Sequence, residues 1–598
     1  MTDHRETAKD LIGRLQQHRL NRRRALLGAG AFGATAAAGR RSTSAQDATP
    51  GASPTAGGRI VLEVPTREEI DAEIRAEFNI VDPPADGGTF IWGAGADTAT
   101  TNFILAADSP SLDILGLVFE TVTSQSPVDG RPAPALADSW EVADDQLTYT
   151  FALNQQATWH DGTPFTSADV VFSMDAILDG DTGSSYTSSF ADTVESYRAI
   201  DDHTLEVVSK GPQADFLIDF GIYAFVMPKH IWENVPHAEW AADPGSTGDD
   251  PSRVIGTGPF KFQEWDKSQK VVTLTRNDNW YGLPKPVIDS FIVRSFDDDN
   301  ALLNSLVAGD IDLVEAILPA NRETVESTEG LEIIQYNTFG FYWYAYNLDP
   351  SKTPLFQDVE VRQALLNALD RQSMVDDIFF GLGEVAQGSQ PKLSPAYAPD
   401  RIETQYDFNP ERAIELLESA GWVAGADGVR EKDGVRLSWE LIYPAGLPIY
   451  DQFTAYMQEA WSEVGAEMTP TPVDFDTVMN EAISETFDFE MAMLAFGWDI
   501  TGNQSAMFNC DSYNGAGFNP MMYCNPAVDE LNDRARVTLD REARIDLLIE
   551  SANVVNEDVP VGIIMFRDRL TGYNTRAKNY NANGLGFLWS IPYVYIEE

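Results

Sequence analysis

Two cysteines and six histidines stand in 598 residues. A disulfide-built scaffold or a zinc module needs more of both. Basic charge is scarce as well: 41 Lys and Arg face 93 Asp and Glu, a net of −52. Such a chain repels phosphate backbones, which excludes nucleic acid as a partner and disfavours anionic membrane surfaces. No apolar run approaches the ~20 residues of a membrane span. Gly-x-Ser-x-Gly and His-Glu-x-x-His are both missing, which removes two hydrolase signatures. Asp181-Thr182-Gly183 has the letters of an aspartic-protease motif. That chemistry needs two carboxylates sharing one proton, and the tripeptide has no partner copy. A glycosidase needs only two carboxylates, so a secreted hydrolase stays open as a minor alternative.

What is present is 43% hydrophobic and 22% charged, the composition of a globular chain long enough for several domains or one multi-lobed unit. Residues 1–45 have the layout of an export signal. Arg22-Arg23-Arg24 precedes a mildly apolar stretch over Ala25–Ala38, and small residues follow at Ala36-Ala37-Ala38 and Thr43-Ser44-Ala45. The adjacent arginines are similar to a twin-arginine signal. The expected location is periplasmic or extracytoplasmic. Cys510 and Cys524 are the only cysteines and lie far from the leader, so no lipid anchor through cysteine is expected. In an exported chain their spacing favours one local disulfide over two buried thiols.

Residues 46–87 read as a Ser/Thr/Pro/Gly/Ala linker followed by a short helix over Thr66–Phe78. Thr66 and Glu69 form a capping box there, and Ile70, Ile74 and Phe78 share one face. Strands alternating with helices follow. Leu147–Leu153, Thr204–Val208 and Lys270–Thr275 alternate as strands do. Asn300–Ala308, Asp358–Leu369, Asn409–Ala420 and Ala527–Ala535 carry apolar residues at helical spacing. No short repeat period interrupts them, so the class is mixed α/β or α+β.

Three blocks carry a specific resemblance. Pro134–Val142 leads through Leu147–Phe151 to Trp159-His160-Asp161-Gly162-Thr163-Pro164-Phe165. Ile255–Phe262 is followed by Asn277–Tyr281. Asp358–Leu365 is followed by Leu369-Asp370-Arg371. In order and spacing they resemble the family 5 extracellular solute-binding proteins, the dipeptide, oligopeptide and nickel receptors of bacterial ABC importers. The resemblance covers roughly 88–598. The blocks themselves read as scaffold: a tight turn at Trp159–Pro164, a chain bend at Gly256 and Gly258, and helix-capping or interior ion pairs at Arg362 and Asp370-Arg371.

The resemblance implies a two-lobed periplasmic-binding-protein fold of the class II type. Lobe 1 would take 88–340 plus 568–598, with an extra subdomain near 126–225, and lobe 2 would take 341–567. It implies a monomer without cofactor or metal that traps a solute between the lobes and hands it to ABC permease subunits. A peptide is the leading ligand, and an oligosaccharide or a metal chelate is the alternative. Peptide receptors of this family carry an acid three residues after a Gly-Trp. Here Gly497-Trp498 is followed by Asp499, and the matching position holds Thr501. Ligand contacts are expected at Trp498, Asp499 and Asn503, at Trp343 and Tyr346 in the aromatic run Tyr342–Tyr346, and at Trp92. Asn509 and Gln390 are weaker candidates.

Overall fold

The structure, a computed structural model, describes residues 59–60, 64–479, 486–513 and 517–597. The expected leader and the first part of the linker lie outside the described residues. Among those described, no helix is long and apolar enough to cross a membrane.

Two long strands organise the molecule. Leu331–Tyr346 and Val561–Asn574 run antiparallel through the middle of one large sheet. On one flank, Val561–Asn574 pairs with Leu313–Val314. Thr89–Ala94, Ser290–Ser295, Val271–Arg276 and Phe260–Asp266 follow in that order. On the other flank, Leu331–Tyr346 pairs with Met491–Gly497, which leads to Ser438–Pro444 and Glu467–Val473. The last two are parallel and are joined by the helix Pro448–Glu463, a βαβ crossover. A separate antiparallel sheet of five strands stands beside the first flank. Its order is Arg59–Ile60, Ala137–Ala143, Thr148–Leu153, Thr204–Ser209, Val194–Asp201.

The two long strands do not pair evenly. Asn337 faces Asp568 and Phe341 faces Phe566, so Thr338, Phe339 and Gly340 stand against Arg567 alone. Such a bulge bends the ribbon and sharpens its twist. It also separates the cores. Before it, Ile334 and Tyr336 pack on a cluster built from Phe90, Trp92, Phe291 and the smaller sheet. After it, alternation sends Tyr342, Tyr344 and Tyr346 into one cluster and Phe341, Trp343 and Ala345 into another on the opposite face. Two lobes therefore hang from one bulged two-stranded crossing.

The blocks read as scaffold are scaffold. A Cβ on Gly256 would stand 1.8 Å from the carbonyl oxygen of Val118, and one on Gly258 would stand 2.7 Å from that of Leu117. Gly162 closes its turn at φ +91°. Arg362 and Arg371 correct one expectation, because neither makes an ion pair among the described residues. Arg362 donates to the carbonyls of Phe356 (2.7 Å), Asp558 and Val559. Arg371 donates to those of Ala386 (2.6 Å), Tyr406 (2.6 Å) and Ile563 (3.0 Å). The planar fork of a guanidinium, with five N–H donors, spans carbonyls from separate segments in a fixed geometry. Asp370 instead caps Ser373, accepting from its N–H at 3.0 Å.

The short helix before the body, Arg67–Glu77, has the expected capping box at Thr66 and Glu69. It is docked on the body. The Arg67 guanidinium donates to the Ala135 carbonyl and sits 4.8 Å from the Tyr281 ring centroid. Tyr593 donates to Asp71 at 2.9 Å.

Candidate functional site

The bulge delivers the turn Trp498–Gln504 to the boundary between the lobes. The Trp498 N–H donates to the Phe339 carbonyl at 3.0 Å, and its ring stacks on Phe341 at 5.4 Å. Phe496 packs edge-on at 5.7 Å. An aromatic wall is thereby fixed to the crossing itself. Asp499 follows immediately. Its carboxylate accepts from both the N–H and the hydroxyl of Thr501. Thr501 thus holds this neighbouring acid in place. Ile500 reaches the first lobe, where a Cβ on Gly130 would lie 2.4 Å from Ile500 Cγ1.

Across the boundary, Asp215 accepts from Arg544 Nη1. Both side chains are buried. Burial pushes the Asp215 carboxyl up to about 6, Arg544 offsets part of that, and Asp499 adds to it. On the first lobe's side of the crossing, Arg569 pairs with Glu315, and the hydroxyls of Tyr336 and Thr571 meet at 3.1 Å. Burial, and then Glu315, push the carboxyl of nearby Asp113 well above the ordinary range, with Arg569 working against them.

The other expected ligand contacts are dispersed. Trp343 is fully buried in the same cluster as Trp498, with Phe518 edge-on at 6.0 Å. Tyr346 lies on the opposite face of the strand, inside the second lobe, and its hydroxyl donates to the Arg362 carbonyl at 3.1 Å. Trp92 packs edge-on against Phe587 at 5.0 Å in the first lobe's core. Asn503 folds onto its own loop, where its side chain accepts from the Ser505 N–H at 2.9 Å. Asn509 accepts from the Asn532 side chain at 2.8 Å, and Gln390 donates to the Gly502 carbonyl at 2.8 Å. A disulfide joins Cys510 to Cys524. Sequence reasoning missed Asp215, Arg544, Asp113 and Arg569. Each is an ordinary charged residue whose partner is far away in the chain.

A cavity of about 230 Å³ opens in the second lobe beside Glu384, Gln387, Gln390 and Tyr397. It falls below the ~300 Å³ at which ligand pockets begin. No group of three or more His, Cys, Asp or Glu suited to a metal occurs among the described residues.

Comparisons with known proteins agree with this architecture. The model for the bacterial extracellular solute-binding proteins, family 5 Middle, matches residues 131–518. The oligopeptide-binding protein AppA of Bacillus subtilis is 27% identical over 488 residues, covering 81% of this chain and 87% of its own. Protein XP55 of Streptomyces lividans is 32% identical over 415 residues, covering 69% of this chain and 72% of its own. The solved structure of the Bacillus subtilis AppA in complex with a nonapeptide aligns over 86% of this chain and all of its own, with a TM-score of 0.64 at 25% identity. HbpA2 from Haemophilus parasuis reaches a TM-score of 0.75 at 19% identity over the same share, a likeness of fold alone. With the bulged crossing and the two cores it separates, these matches leave one assignment: the chain belongs to the family 5 bacterial extracellular solute-binding proteins.

Proposed function

We propose that this protein is an exported receptor that captures a peptide between its two lobes and delivers it to an ABC permease. The observation that carries this reading is the wall of Trp498, Phe496 and Phe341, fixed to the crossing, with Asp499 held beside it at the lobe boundary. Aromatic faces hold a ligand of varied sequence by area, and a carboxylate gives it one oriented end. Trp498 and Asp499 are the ligand contacts in this reading. The relatives point the same way, since AppA is named for oligopeptides and its solved complex holds a nonapeptide. The break in pairing at Thr338–Gly340 supports a division at 340/341 and 567/568, with lobe 1 as 88–340 plus 568–598, lobe 2 as 341–567, and the subdomain near 126–225 as part of lobe 1.

Export through the twin-arginine leader, release outside the cytoplasm without a cysteine-linked lipid, and action as a monomer complete the reading. Native mass spectrometry of the protein isolated undenatured from an exporting host tests it. A ladder of short peptides released on activation is the expected result. Thr501 at the family's acid position favours a second reading, an oligosaccharide or metal-chelate receptor. A single defined adduct, or a protein that ignores a peptide mixture and binds a sugar, would replace the peptide reading with that one.

A further inference from the structure

The cavity of about 230 Å³ in the second lobe is too small for a whole peptide. It is roomy for a single group, since a cavity of ~150 Å³ already holds benzene. Its position ties it to the aromatic wall. Glu384 and Val385 lie on the short strand Gly383–Val385, where Glu384 pairs with Phe566. Phe566 packs edge-on against Phe341 at 6.1 Å, and Ala386 belongs to the same core cluster as Trp498. Further along, Ser389 donates to the Gln504 side chain at 2.6 Å, and Gln390 donates to the Gly502 carbonyl at 2.8 Å. The turn that carries Trp498 and Asp499 is thus stapled to the segment that lines the cavity.

The lining has two characters. Val385, Ala396 and Ile402 give it apolar sides, and Glu384, Gln387 and Tyr397 give it polar ones. Tyr397 donates to Glu384 Oε1 at 2.8 Å. Lys392 comes within 4.0 Å of Oε2 from a side chain that is 53% exposed, a distance and exposure at which an ion pair contributes little. A carboxylate has about four acceptor sites, so this one has acceptors to spare. Gln387 is the sharper sign. Its Oε1 is buried and makes no hydrogen bond, which is costly unless a donor arrives. Gln390 differs, because Ser394 donates to its Oε1 at 2.6 Å. Two further acids adjoin the lining: Asp376 accepts from Gln372 at 3.0 Å, and Asp400 acts on Tyr397. The cavity therefore offers acceptors and negative charge between apolar sides. An ammonium on a short alkyl stem matches all three, with N–H donors, positive charge and methylene groups.

We infer that this cavity is an alkylammonium site, in which Glu384 and Gln387 hold the –NH3+ group and Val385, Ala396 and Ile402 hold the stem. The group is carried by the captured solute or by a free small amine. Its link to Trp498 rests on the solute-capture reading.

Two arms on the full chain test it. In the first, native mass spectrometry follows competition between short alanine peptides carrying one lysine and the same peptides with norleucine in its place. A preference of about tenfold for lysine, lost in Glu384→Gln and weakened in Gln387→Met, is expected if the ammonium belongs to the solute. In the second, melting curves are taken with n-butylammonium chloride and with n-butanol at equal ionic strength. Peptides that tie, with a melting temperature raised by n-butylammonium in the parent but not in Glu384→Gln, assign the site to a free amine. Absence of both effects, or their persistence in Glu384→Gln, overturns the inference. Glutamine at 384 can still accept from Tyr397, and melts without ligand show whether each variant folds. If one of them does not, the other decides. If no peptide of either kind is retained, the peptide reading fails and the n-butylammonium arm alone decides this one.

Discussion

Gly340→Ala is the sharpest perturbation of the crossing. A Cβ at this position would stand 2.3 Å from Arg567 Nη2, 2.8 Å from Nε and 2.9 Å from Cζ. Backbone on both sides is fixed, by the Gly340 N–H donating to Thr338 Oγ1 at 3.2 Å and by Thr338 Oγ1 donating to the Arg567 carbonyl at 2.8 Å. The guanidinium must therefore move. It now rests over the Tyr342 ring, 5.3 Å from the centroid. Leaving that face forfeits a cation–π contact of about 0.5–2 kcal/mol. Arg567 Nε makes no hydrogen bond in its present place, so no such bond is lost with it. The expected cost is about 1–2 kcal/mol, and it belongs to the pair. Urea denaturation of the parent, Gly340→Ala, Arg567→Ala and the double variant closes the cycle. In the Arg567→Ala background the glycine substitution should cost less than about 0.5 kcal/mol. The same loss in both backgrounds would refute the assignment of strain to Arg567.

Three further outcomes follow from the packing. Burial first, with Lys261 assisting, pushes His160 down to about 4 against an ordinary 6.5, so the unfolded chain binds the proton first and stability is lost as pH falls from 6.5 toward 4. The ceiling is about 3 kcal/mol at 1.36 kcal/mol per unit, and His160→Gln should flatten that part of a stability-against-pH curve. Reducing the Cys510–Cys524 bridge, which spans 14 positions, should lower unfolding stability by roughly 3 kcal/mol, read as a melt with and without reductant. Gly256→Ala drives a Cβ into a backbone oxygen that cannot swing aside, and a loss of about 3 kcal/mol or more is expected in a denaturant titration.

Local chemistry was legible in the sequence and distant pairing was not. Thr66 and Glu69 sit three residues apart, so their capping box could be read directly. Gly256 and Gly258 announced a close approach without saying that Val118 and Leu117 make it. The two cysteines left one partner each. At Arg362 and Arg371 the residue type suggested carboxylate partners, and the fold supplied carbonyls from segments up to 197 positions away. The aromatic run Tyr342–Tyr346 could be read as a strand, but which of its faces meets the lobe boundary depends on where pairing breaks at Thr338–Gly340. Asp215 and Arg544 carried no signal, since neither neighbourhood in the chain distinguishes a buried charge from a solvated one.

The order of the large sheet bears on how the molecule comes to exist. Val561–Asn574 is the last of its strands in sequence, yet it lies between Leu331–Tyr346 and Leu313–Val314, in the middle. Until it is made, both of those strands present an open edge, Leu313–Val314 in the first lobe and Leu331–Tyr346 along the crossing itself. Open edges of this length invite pairing with another chain. During synthesis, then, neither half can finish before the other, and the hazard ends for both in a single step, when one strand slides into the gap and turns two unfinished sheets into one.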